Sequence, residues 1–249
     1  MKKVLRRSWR VIPLLAISTS LVSTGLVANA STLLVTPTTV TTSTTTSPVS
    51  GVPSNTASMA MWQSWAASQQ AQMQSITPSQ VAATSGCSIS SVTASPVVSS
   101  GFEYPAGITT DALTIVGQCS PSTGGSLSAS PAISSYCPGM DDCNFASATN
   151  GQVAIGTTTV AGNANFMEAA FTNTSTSSIS VHSQLGTVGV SQCSSTASVV
   201  ANSSQTTLSP GMFVAVTWGP RTTSTTWKAT GWKLVSGAFQ DLGSVCGQY

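Results

Sequence analysis

The chain has 249 residues, with 8 Lys and Arg against 6 Asp and Glu and a single His. Five of the bases (Lys2, Lys3, Arg6, Arg7 and Arg10) lie in the first ten residues, which leaves three bases against six acids on the rest. That charge is too weak and too sparse for the footprint a phosphate backbone demands, so nucleic acid is excluded as a partner, and the usual material of a polar active site is nearly absent.

The N-terminal bases precede an apolar stretch from Val11 to about Val27 and then Ala28-Asn29-Ala30. This three-part pattern reads as a secretory signal over residues 1–30, cleaved after Ala30. Retention of the stretch as a membrane anchor is the alternative, although Ser18, Thr19, Ser20, Ser23 and Thr24 make it less apolar than a spanning helix prefers. Residues 31–58 are dominated by Thr, Ser and Pro, which favour extended, hydrated backbone and cannot form a core. They read as a linker or stalk.

The folded part is expected over residues 59–249. Ser58 can cap a helix beginning at Met59, and Met61, Trp62, Trp65, Ala66, Gln69, Met73 and Ile76 fall near one stripe at helical spacing. The Trp and Met residues on that stripe read first as packing onto a sheet and second as a binding face. Pro78 is expected to end the helix or open a short turn that includes Val81 and Ala82.

After Cys87 the pattern changes to short alternating runs separated by Gly, Pro, Ser and Asn. Strands are expected at 89–98, 112–118, 152–161, 165–173, 178–185, 187–192, 197–201, 212–218 and 226–235. In the 212–218 run, Met212, Val214, Val216 and Trp218 share one face and Phe213, Ala215 and Thr217 the other, with one face expected to be core. The same alternation turns His182 outward or toward a sheet edge. Many β-branched residues, short strands and one helix imply a mainly antiparallel β-sandwich rather than a parallel α/β fold. The Ser/Gly stretch at 120–131 is a long loop or a subdivision of the domain.

Six cysteines (Cys87, Cys119, Cys137, Cys143, Cys193 and Cys246) follow the signal, an even number that reads as three disulfides in an oxidising compartment. Zinc lacks partners, since His182 is alone and no Cys-x-x-Cys occurs. Six cysteines allow about fifteen pairings, which sequence does not settle; the expected set joins near neighbours along the chain, Cys87 with Cys119, Cys137 with Cys143, and Cys193 with Cys246.

Phe171-Thr-Asn-Thr-Ser175, then Leu208-Ser-Pro-Gly211 and the strand through Trp218, resemble small secreted Ig-like β-sandwich domains of actinobacteria. The resemblance covers about 165–246. It implies an Ig-like sandwich and no catalytic residue. The Leu-Ser-Pro-Gly turn also has a local reason, because Pro210 presets φ and Gly211 tolerates positive φ.

Few groups carry chemistry. A Ser/His/Asp hydrolase would have to use His182, with no nucleophile elbow and no charged neighbour in sequence. Paired carboxylates could be drawn from Glu103, Asp111, Glu168 and Asp241, without spacing that sets two across a cleft. Glu168 lies within the apolar run Phe166 to Phe171, where burial would raise its pKa and suit an acid peptidase; an edge or solvent-facing position is the plainer reading. Asp141 and Asp142, in the Cys137–Cys143 loop, make a poor calcium site and read as a constrained surface turn. Trp218, Trp227 and Trp232 cluster near the C-terminus. Trp227 and Trp232 are the pair expected to stack on sugar rings, unless they cover sheet edges.

The chain therefore reads as a secreted or cell-surface protein with a structural or interaction role and no catalysis. No cofactor, no metal and no membrane span after signal cleavage are expected, with a cell-wall or extracellular polysaccharide, or a protein, as partner. Two rivals stay open: a carbohydrate- or wall-polymer-binding module using Trp227 and Trp232, and an acid-tolerant hydrolase using Glu168. With few ion pairs to lose on protonation, tolerance of acid is expected in every case.

Overall fold

The computed structural model describes residues 51–83, 86–119, 137–190, 192–220 and 225–249. The expected signal, residues 31–50 of the expected stalk, the 120–131 stretch and Arg221 lie outside the described residues. One α-helix, α1 (Met59–Gln74), and a 3-10 turn (Pro78–Gln80) precede the strands. The strands are β1 (Cys87–Val98), β2 (Thr109–Cys119), β3 (Met140–Ala148), β4 (Gly151–Val160), β5 (Asn163–Asn173), β6 (Ile179–Val188), β7 (Ser198–Asn202), β8 (Thr206–Leu208), β9 (Met212–Trp218), β10 (Thr226–Val235) and β11 (Ala238–Gln248).

They form two antiparallel sheets. The first has the order β1-β2-β9-β5-β4-β3, the second β11-β10-β6-β7 with β8 pairing on β6. The expected strands at 212–218 and 226–235 coincide with β9 and β10. The expected separate strand at 187–192 is corrected: β6 runs without a break to Val188, and Gln192 N–H closes a turn on Gly189 O. β3, β8 and β11 were not expected from the sequence.

Ser58 caps α1 as anticipated, its Oγ accepting from Met61 N–H at 3.3 Å. The buried positions Trp62, Trp65, Ala66, Gln69 and Met73 follow helical spacing and press onto the first sheet, whereas Met61 faces solvent and leaves the expected stripe. A helix with no charged side chain to stabilise its ends needs this tertiary contact to persist. Its amides supply much of the contact. Gln69 is fully buried; its Nε2 donates to Asp111 O and Gly219 O, and its Oε1 accepts from Asp111 N–H at 2.9 Å. Gln70 and Gln74, one helical turn apart, donate to the two carboxylate oxygens of Asp111 at 3.1 and 3.0 Å.

Both faces of the central strands of the first sheet are buried, which corrects the expectation that one face of β9 is core. Val214, Val216 and Trp218 of β9 and Met167, Ala169 and Phe171 of β5 share a core with Val181, Leu185, Trp227 and Ala229 of the second sheet. Phe213 and Ala215, with Phe166 and Ala170, form a second core beneath Met73, Ile76 and Val81. A run of ring contacts crosses the molecule, from Trp65 to Tyr104 at 4.9 Å, Tyr104 to Trp218 at 5.2 Å, and Trp218 to Trp227 at 6.2 Å. Gly231 of β10 lies under the Phe171 ring, where any Cβ would collide with it. Gly211, with φ of 81°, makes the turn into β9 that its sequence anticipated.

The three disulfides are Cys87–Cys119, Cys137–Cys143 and Cys193–Cys246. This is the pairing expected. The first joins register partners of β1 and β2, and the last ties the segment between β6 and β7 to β11. No described helix is long and apolar enough to cross a membrane.

The amide clamp yields a test. Gln69→Leu keeps volume but leaves Asp111 N–H, Asp111 O and Gly219 O without a partner, so equilibrium denaturation should show a loss on the order of 3 kcal/mol. Gln70→Leu, which leaves the Gln74 contact to the Asp111 carboxylate in place, should cost less.

Candidate functional site

The residues singled out for catalysis do not meet. Glu168 lies in the middle of β5, with Thr217 of β9 on one side and Gly156 of β4 on the other. It is 1% exposed and faces the α1 side of the sheet, so the expected edge or solvent-facing position is corrected. The sequence shows an apolar strand; it does not show that the second face of that strand is covered as well. Burial pushes the Glu168 carboxyl up to about 8. The hydroxyls of Thr158 and Thr217 partly offset that effect, and the charge of Asp141 adds to it. Thr217 Oγ1 donates to Oε2 at 3.4 Å, and Thr158 Oγ1 donates to Gly139 O at 2.6 Å. Below neutral pH the group is a protonated acid held among hydroxyls and apolar side chains.

Glu103 is also buried, in the connection from β1 to β2, and lines a crevice of about 50 Å³ with Phe102 and Trp218. His182 is on the far side of the second sheet from the shared core. Asp141 and Asp142 are exposed at the start of β3, and Asp141 accepts from Thr159 Oγ1 at 3.0 Å. Among the described residues no three or more His, Cys, Asp or Glu side chains gather into a metal-holding group.

The two tryptophans proposed as a pair are separated by the strand that carries both. Trp227 is fully buried in the inter-sheet core, 5.7 Å from the Phe102 ring. It does not reach the outer face. Trp232, five residues later, has the opposite parity and stands half-buried on the outer surface of the second sheet.

Strand register builds a platform around it. His182 of β6, Trp232 of β10 and Asp241 of β11 are consecutive partners across the sheet, and Asn202 of β7, Gln184 of β6 and Thr230 of β10 form the next row. The register shift beside Gly231 and Trp232 lets Leu242 enter the core while Asp241 turns outward. Phe239, 57% exposed, stands over His182 edge to face with ring centroids 4.8 Å apart. Burial pushes the His182 imidazole below its usual range, so it is neutral at ordinary pH.

Two open depressions lie on this surface. One, of about 380 Å³, is lined by His182, Phe239, Trp232 and the polar chains Gln184, Asn202 and Gln205. The second, of about 290 Å³, shares Gln184 and Trp232 and adds Thr230, Lys228, Asp241 and the 194–197 segment. The amides are held in place by neighbours. Gln184 Nε2 donates to Asn202 Oδ1 at 3.0 Å, and Gln205 Nε2 to Ser180 Oγ at 2.8 Å. Gln184 Oε1, Gln205 Oε1 and Asn202 Nδ2 then have no partner among the described residues. The 193–196 segment is fixed at both ends of its reach by Cys193–Cys246 and by Lys228 Nζ, which donates to Cys193 O and Ser195 O at 2.8 and 2.9 Å.

Comparison with protein-family models, with curated proteins and with solved structures finds no match. The reading of the site depends on its own geometry. Of its residues the sequence pointed to Trp232 and His182. Gln184, Asn202, Gln205 and Phe239 were missed, because they come from four separate strands or loops and carry no shared motif. The odd spacing of Trp227 and Trp232 was a usable signal that one alone faces outward.

The Glu168 site sets a pH dependence. Its folded-state value lies above the ordinary carboxyl value of 4.5, so the folded chain holds this proton more tightly than the unfolded chain. The stabilisation is complete in acid, below the unfolded value, and is lost as pH rises through about 8. Thermal unfolding should therefore show a loss on the order of 4 kcal/mol from mild acid to alkaline pH, and Glu168→Gln should flatten that slope. An equally steep slope in the variant would refute the assignment.

Proposed function

We propose that the chain is an exported, noncatalytic carbohydrate-binding protein, which holds a hydroxyl-rich ligand on the outer surface of its second sheet. The observation that carries this reading is the depression bordered by Trp232, His182 and Phe239 and edged by oriented amides with free hydrogen-bonding atoms. Aromatic faces accept the C–H face of a sugar ring through hydrophobic and dispersion contact, while amides exchange hydrogen bonds with its hydroxyls. The volume falls within the range of small-ligand sites.

Export is part of the proposal. It is supported by the basic, apolar and Ala-x-Ala order of residues 1–30, by three disulfides, and by the Thr/Ser/Pro composition of 31–58, which suits a spacer between an anchoring surface and a binding domain. We infer that the two sheets form a sandwich; their shared core supports this, and the Ig-like topology remains part of the same proposal. Binding without turnover is favoured over hydrolysis because Glu168 and His182 belong to different surfaces, and Glu168 is shut off from solvent.

The test is retention on insoluble polysaccharides such as chitin, cellulose and xylan. Trp232→Ala should lose retention with little change in thermal midpoint, whereas Trp227→Ala should lose about 3–5 kcal/mol of stability, as expected for emptying a core site. Retention of the Trp232→Ala protein at the wild-type level on every polymer that holds the wild type would overturn the proposal.

A further inference from the structure

The carbohydrate reading leaves two questions that the surface itself addresses: how long a ligand it holds, and of what charge. Building on that reading, we infer that the two depressions are a single extended site for a neutral, linear oligosaccharide chain, with Trp232 as the shared partition, and that acidic chains are excluded.

Continuity is the first argument. Trp232 and Gln184 line both depressions, and they stand on adjacent strands in adjacent rows of the sheet. From Trp232 to Lys228 along β10 the strand rises about 13 Å, longer than one sugar ring. A ligand filling the first depression alone would leave the second open beside the same indole. A chain continuing past Trp232 would meet Thr230 and the 194–197 segment.

Charge is the second. Among the described residues that line the first depression, His182 is the one titratable group, and burial lowers its pKa and favours the neutral imidazole. In the second, Lys228 is 8% exposed and directs its ammonium at two backbone carbonyls, so its charge is already engaged. Asp241 is exposed at the same depression, and one of its oxygens accepts from Gly243 N–H at 2.8 Å. A carboxylate beside an ammonium that is engaged elsewhere, as that of Lys228 is, accepts hydroxyls and repels uronates or phosphates. Rigidity is the third. The disulfide and Lys228 hold the 193–196 segment in place before any ligand arrives, so a longer chain meets a preformed wall rather than one it must order.

The experiment is a titration of the full chain, followed by tryptophan fluorescence and calorimetry, with cello-, xylo- and chito-oligosaccharides from disaccharide to hexasaccharide, and with oligogalacturonate. For the series that matches a retaining polymer, the hexasaccharide should bind at least roughly tenfold more tightly than the disaccharide, and oligogalacturonate should not compete. Thr196→Trp, which fills the second depression, should bring the hexasaccharide down to the disaccharide's affinity without altering the latter. Gln205→Ala, which touches the first depression alone, should weaken both.

Equal affinity for disaccharide and hexasaccharide, with retention on polymer intact, would overturn the extended site and leave the carbohydrate reading standing. Competition by oligogalacturonate at matched concentration would overturn the neutral-ligand assignment. Absence of retention and of any titration signal across the panel would overturn both this inference and the reading beneath it.

Discussion

A protein with almost no ionisable side chains must answer the polar groups it buries with neutral ones. Asp111 shows how. Its carboxylate is engaged by the amides of Gln70 and Gln74 rather than by a cation, and its backbone is closed by the amide of Gln69. That set of bonds fastens α1 across the start of β2, where Met73, followed by Ile76 and Val81, joins the core on the outer face of the first sheet. The same rule recurs on the other sheet, where a buried lysine is satisfied by carbonyls of a disulfide-held loop. Neutral partners impose direction where ion pairs would tolerate a range of geometries, so the helix and the loop are positioned by oriented hydrogen bonds.

This constraint explains the contrast between the two outer faces. The first sheet keeps Glu168 buried beside the Gly139 turn, with the hydroxyls of Thr158 and Thr217 next to it and its carboxyl pushed up to about 8. Among the described residues no helix lies over the platform around Trp232, whose side chains are mainly amides, hydroxyls and rings, with Lys228 and Asp241 at the second depression. One surface is sealed and the other is furnished with groups that exchange hydrogen bonds with hydroxyls. A sealed carboxyl is a source of pH-dependent stability, and the open platform, with its charged groups confined to Lys228 and Asp241 at one depression, is the surface on which the proposed carbohydrate reading rests.

Strand alternation made much of the architecture legible. β9 and β10 follow directly from their runs of apolar and β-branched residues, and Ser58 caps α1 while Pro78 opens the 3-10 turn after it, as their chemistry dictates. The nearest-neighbour disulfides are one choice among the about fifteen pairings six cysteines allow, and it is the fold that brings each couple together, Cys87 and Cys119 as register partners. What escaped was set by tertiary context. β3 begins Met140-Asp141-Asp142-Cys143, residues that read as a turn until β4 is there to pair Met140, Asp142 and Cys143 around a bulge at Asp141. β11 contains Asp241, Gly243 and Gly247 and is recognisable as a strand through its register with β10. Glu168 was placed outside because a single sequence shows the face that alternates and not the element that covers it. At the platform, the rings were visible and the amides were not, since Gln184, Asn202 and Gln205 are unremarkable in a chain full of such residues.

β10 belongs at once to the interior and to the surface that meets the environment. Trp227 and Ala229 anchor it inside, Gly231 gives Phe171 its berth, and Trp232 looks the other way. Side-chain direction along a strand follows counting, so loss of a single residue between the two indoles would invert their allegiance, burying the platform ring or exposing the interior one. The length of this short stretch is thus under a stricter rule than its composition. Lineages descended from such a molecule would be free to exchange amide for hydroxyl on the rim, but not to lengthen or shorten the interval that decides which tryptophan faces the world.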